Sequence, residues 1–202
     1  MKGILIMRKM HYIPLLGGFF GALGVMAAVA LAPYMPTQAE LAPEETALLA
    51  EWSKVGDALS VQRMVEHGAC VEAADAEGTT ALMTAAAEGH MEVVKVLLMH
   101  NAQVNAANRE GDTALHFAVR NNEKAITAYL LEQGAAVNAQ NKAGVTPLMV
   151  ASWSGFEQLV QQLLTAGADT ELTDEDGAKA STHAREVQDD ATRERILQLL
   201  GA

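Results

Sequence analysis

The sequence predicts an all-α fold, a stack of about five helix-turn-helix units, each followed by a projecting turn. Three observations carry this expectation. Gly78, Gly111, Gly144 and Gly177 recur every 33 residues, with Thr80, Thr113 and Thr146 in step after the first three, then Leu82, Leu115 and Leu148. Within each period, two apolar stripes of helical spacing flank a turn of two or three residues. The composition is 50% hydrophobic but only 4% aromatic, and Ala and Leu fill much of the apolar share. That favours helices packed through small side chains over a sheet of Val, Ile and Tyr. A fixed period with matching residue types requires a repeat architecture.

The chain opens differently. Lys2, Arg8 and Lys9 are the only charged residues before Glu40, and no charge falls between Ile13 and Ala32. A positive start followed by an apolar run is the order of an export signal, so residues 1–39 read as a signal peptide. Small residues at Thr37 and Ala39 put the cleavage site before Glu40, with Ala28-Val29-Ala30 as the other candidate. The alternative is an uncleaved membrane anchor, since 20 uncharged residues also span a bilayer. Four glycines, Gly17, Gly18, Gly21 and Gly24, weaken that run as a permanent helix. Either way the body is expected outside the cytoplasm, in the periplasm or held at the inner membrane, because the positive end stays inside.

Formal net charge is −11, and without the three leading cations the rest carries 11 basic and 25 acidic residues. An acidic body disfavours nucleic acid and anionic membrane surfaces and favours a basic partner. Cys70 is the single cysteine, so an exported chain has no internal disulfide and must be held by packing. Cys70 reads as a small packed residue at a turn.

After a short linker at residues 40–44, the repeat domain spans 45–202 as units 45–77, 78–110, 111–143, 144–176 and 177–202. In the unit starting "GDTALHFAVRNN", Thr113 is placed as a helix N-cap, with its hydroxyl available to a free backbone N–H. His116, three residues on, is placed to reach back as the Glu of a capping box does. Pro147 occupies the first helical position in its copy, where a missing N–H costs nothing. Ala85, Ala86, Ala118 and Ala151 allow a neighbouring helix to approach closely. The second helix, as in "GHMEVVKVLLMH", carries Val93, Val94, Leu97 and Leu98 on one stripe and stops at Asn101. In the other copies it stops at Gly, the residue most readily left-handed. One unit cannot bury its stripe alone, but a stack can.

The pattern G-x-T-P/A-L-H/M-x-A, a helix ending in a Leu pair, then G-A-x-V-N resembles the ankyrin repeat. The likeness is strong for units 78–110, 111–143 and 144–176. It is partial in 45–77, where Leu49 keeps its apolar position and Trp52 replaces the usual alanine. It is degenerate in 177–202, as suits a capping unit with one wet face. The resemblance implies an ankyrin-repeat solenoid that binds another protein through its turn tips and concave first-helix face. Fold alone does not name that partner.

No Gly-rich phosphate loop, metal-ligand set or nucleophile–base arrangement stands out, so neither a cofactor nor catalysis is expected. His90 reads as an inter-helix turn residue and His116 as a structural cap. The residues expected to meet a partner are Arg109, Asp112, Arg120, Asn121, Lys142, Val145, Trp153 and Ser154. Of these, Arg109, Arg120, Lys142 and Trp153 form a basic and aromatic centre within an acidic rim of Glu77, Glu88, Glu175 and Asp176. Trp153 reads equally as an interface anchor or as packing under the C-terminal cap. A monomer acting as scaffold or accessory protein is expected. An inhibitor or immunity protein, or a membrane-anchored subunit of an envelope complex, are the alternatives.

Overall fold

Two short helices per period are what the computed structural model shows. It describes residues 44–202, and the expected leader with its cleavage site lies outside the described residues. In chain order the helices are α1 (Glu44–Val55), α2 (Ala58–Glu66), α3 (Ala81–Ala87), α4 (Met91–Met99) and α5 (Ala114–Arg120). Then follow α6 (Lys124–Glu132), α7 (Pro147–Trp153), α8 (Glu157–Thr165), α9 (Ala180–Ala184) and α10 (Asp190–Leu200). None of the described helices is long and apolar enough to cross a membrane.

Helices of seven and nine residues are too short to persist alone, so packing must hold them. The odd-numbered helices pack side by side in one row, the even-numbered helices in a second, and each unit's pair packs together. Fully buried Ala85, Ala86, Ala118 and Ala151 bring the first row close together. Leu82, Leu115 and Leu148, with Leu97, Leu130 and Leu163, form the core between the rows. Trp52 stands at the register of Ala85 and is half-buried.

Local chemistry fixes the helix ends. Thr80 and Thr146 cap α3 and α7, their Oγ1 atoms accepting from the N–H of Met83 at 3.4 Å and of Met149 at 3.3 Å. Asn101 ends the second helix of its unit with φ +66°, where the next two units have glycine. Asn tolerates this left-handed conformation better than any other residue with a side chain.

The turns between units keep the same period of 33 residues. Asn108 Oδ1 accepts from the N–H of Glu110 and Asp112, and Asn141 Oδ1 from that of Ala143 and Val145. Asp75 and Asp174 do the same in the flanking turns. Each tip then bonds to the one before it. The N–H of Arg109 donates to Glu77 O at 2.8 Å, that of Lys142 to Glu110 O at 2.8 Å, and that of Glu175 to Ala143 O at 2.9 Å. The leading glycines permit this closeness: a Cβ on Gly144, at φ +74°, would lie 2.8 Å from Asp174 Cα. At the far end of each tip loop, Asn105 accepts from Ala136 N–H at 2.8 Å and donates to Gly134 O at 3.1 Å. Asn138 repeats that clamp one unit later.

Candidate partner-binding face

Ala87, Arg120 and Trp153 end three neighbouring first helices, α3, α5 and α7, and so share one row. Trp153 is 61% exposed. Packing beneath the C-terminal unit therefore does not bury its ring. Phe117, half-buried one turn earlier on α5, has the Arg120 guanidinium 5.5 Å from its ring centroid.

Arg120 is held from a second side. Its Nη2 donates to Asp112 Oδ2 at 2.8 Å, while the other carboxylate oxygen accepts from Asn141 Nδ2 at 2.9 Å. Burial pushes the Asp112 carboxyl up, but the hydrogen bonds from Arg120 and Asn141 outweigh it and hold the group below the usual carboxylate range. This corrects two expectations. Asp112, read as a projecting contact residue, is buried and ties the start of its unit to the turn that leads into the next. The expected basic centre is locally neutralised, because Arg120 already has a carboxylate partner.

The other expected contact residues divide similarly. Arg109 and Lys142 are exposed on adjacent tips, spaced by the backbone bonds described above. Asn121 is exposed and donates from Nδ2 to Phe117 O at 3.0 Å, closing the end of α5. Ser154 is half-buried at the end of α7. Val145 is half-buried, with its N–H on Asn141 Oδ1 and its carbonyl 3.1 Å from His116 Nε2. It serves the junction between units rather than projecting from a tip.

His116 is wholly buried. The N–H of Thr113 donates to its Nδ1 at 3.2 Å, and Thr113 Oγ1 lies 3.0 Å from the same nitrogen. Because a backbone N–H only donates, Nδ1 must carry the lone pair, so Nε2 carries the proton and donates to Val145 O. Burial lowers the ring's basicity, against the Val145 carbonyl and the Asp112 charge, which raise it. The capping role read from sequence is present, but the Thr113 hydroxyl is drawn to the ring.

His90 Nε2 lies 2.8 Å from Lys54 O, a contact linking the first two units. Cys70 is exposed, and the packed small residue at that turn is Ala69. Sequence reading missed the turn-building positions Asp75, Asn108, Asn141 and Asp174. Their signal was available: Asn or Asp three residues before each leading glycine, at the same period of 33.

A family model of ankyrin repeats in three copies matches residues 101–174, and a second, of many copies, matches residues 64–118. No curated protein matches the chain. Ankyrin repeats generally mediate protein–protein interactions and are typically non-catalytic. The two matches together run from residue 64 to 174, over the stacked helix pairs and bonded tips seen in the fold, and identify this part of the chain as ankyrin repeats.

Proposed function

We propose that this chain is an exported, monomeric scaffold or accessory protein that holds a basic protein partner on its first-helix face and turn tips. The observation that carries this reading is Trp153, a large ring left 61% exposed on the row it shares with Arg120. Trp and Arg are the side chains that most often dominate binding energy, above all when rigidly presented. Arg120 is presented in that way, clamped by Asp112 and laid over Phe117. The charge balance supports a basic partner, since carboxylates outnumber Lys and Arg by 25 to 14 in the whole chain. Opposite charge speeds encounter and suppresses wrong partners. Export rests on the positive, then apolar, leader.

A photo-cross-linking residue placed at position 153, or at exposed Gln161 on α8 as control, tests the reading in exporting cells. The expected result is a discrete adduct with a basic protein from position 153 and none from position 161. Adducts from position 161 alone would move the interface to the second-helix row. Trp153→Ala should weaken binding of that protein by about 2 kcal/mol or more without lowering the melting temperature.

A further inference from the structure

We propose that His116 is an acid-sensitive latch, whose protonation opens the junction between units 111–143 and 144–176 and loosens Arg120 on the partner-binding face. The effect on binding rests on the proposed function above; the opening of the junction does not.

The latch is a closed ring of contacts between two units. His116 Nε2–H donates to Val145 O, and the Val145 N–H donates to Asn141 Oδ1. Asn141 Nδ2 donates to Asp112, and Thr113, next in the chain, donates from its N–H to His116 Nδ1. Arg120 hangs on the same ring through Asp112. The neutral imidazole satisfies both of its neighbours at once.

A proton on Nδ1 would place two donors against each other where Thr113 N–H now donates at 3.2 Å. The Thr113 hydroxyl would turn to accept from the ring, but the backbone N–H would lose its partner inside the stack. A buried unpaired donor and a buried cation are both costly. The charged groups bearing on the ring are Asp112 and Arg120, which are paired with each other. The neighbouring first helices α3 and α7 contain no charged residue, and α6 carries Lys124 and Glu132 only at its exposed ends.

The device occurs once in the described stack. At the same register, Met83 and Met149 sulfurs accept from the N–H of Thr80 and Thr146, and Thr182 Oγ1 accepts from the N–H of Lys179. None of these side chains takes up a proton near neutrality. Since each unit touches only its neighbours, the effect of a proton on this ring is confined to the junction it closes.

The sign follows from linkage. Burial lowers the ring's pKa in the fold below the ordinary 6.5, so an opened unit binds the proton more readily. The latch is at full strength above that ordinary value. It weakens as pH falls through it towards the folded-state value, by up to about tenfold in the opening equilibrium per pH unit.

Amide hydrogen exchange on the full chain, corrected for intrinsic rates, tests this at pH 7.5 and 5.5 with wild type and His116→Met. Methionine already stands at this register in the units on either side. Protection over residues 111–146 of the wild type should fall several-fold relative to residues 81–99, and hold in His116→Met. An equal fall in both proteins, or none in the wild type, overturns the latch. If His116→Met folds poorly, the ring nitrogen shifts of the wild type decide. The Nε2–H tautomer persisting at pH 6.5 supports the latch, and a ring already protonated at pH 7 overturns it. Cross-linking from position 153 should also fall at pH 5.5 in the wild type alone. Should the junction open with cross-linking unchanged, the fault lies with the partner face and not with the latch.

Discussion

Arg120 Nη2 donates to Asp112 Oδ2 across 2.8 Å, joining an exposed guanidinium to a buried carboxylate eight residues earlier. This pair makes a residue at the proposed interface also a structural one. Arg120→Ala should lower stability by about 1–3 kcal/mol in urea denaturation, because it leaves a buried carboxylate under-paired. An affinity measured on that variant must therefore be read beside its folding midpoint. A neutral result would mean that the partly exposed guanidinium contributes no more than ordinary surface pairs do.

Gly144→Ala and Gly134→Ala separate conformational strain from collision. Both positions are left-handed, at φ +74° and +87°. A Cβ at 144 meets Asp174 Cα at 2.8 Å, whereas one at 134 meets nothing within 4 Å. Gly134→Ala should cost about 1–2 kcal/mol from the backbone alone. Gly144→Ala should cost clearly more, as a shift in melting temperature shows.

Thr127 Oγ1 is buried on α6 without a hydrogen-bond partner, at the register held by Val94 and Val160 in the adjacent units. Thr127→Val replaces an unsatisfied hydroxyl by a methyl of similar shape. We expect a gain of about 1 kcal/mol in the unfolding free energy. A loss would point to a water bound to that hydroxyl.

Leu130 is wholly buried between the two helix rows. Leu130→Ala should cost about 2–5 kcal/mol by opening a cavity. Exchange measurements should show the loss concentrated in units 78–176, the mutated unit and its two neighbours.

What was legible in the sequence was the chemistry that acts within a few residues. Thr113 as N-cap, Asn101 as left-handed stop and the Leu82–Leu115–Leu148 series each follow from a local backbone need or a helical stripe. The clasp was not legible, because Asp112 finds its partners 8 and 29 residues away. An aspartate beside the leading glycine looks like any solvated tip charge until the turn that ends its unit lies against it. Cys70 was misplaced by one residue for a similar reason: a turn has no period to say which of two small neighbours points inward. The exposure of Trp153 depended on how far the terminal unit reaches over α7, and a degenerate unit carries little of that in its sequence.

The tips touch through main-chain atoms, N–H of Arg109, Lys142 and Glu175 to the carbonyl oxygens of Glu77, Glu110 and Ala143. Any residue but proline supplies those atoms, so the spacing of the row is indifferent to the side chains mounted on it. Glu77, Arg109, Glu110, Lys142 and Glu175 are in that sense interchangeable type set in a fixed frame. A lineage carrying this chain could exchange its letters one by one, following a changing partner, without redrawing the frame or passing through an unfolded ancestor.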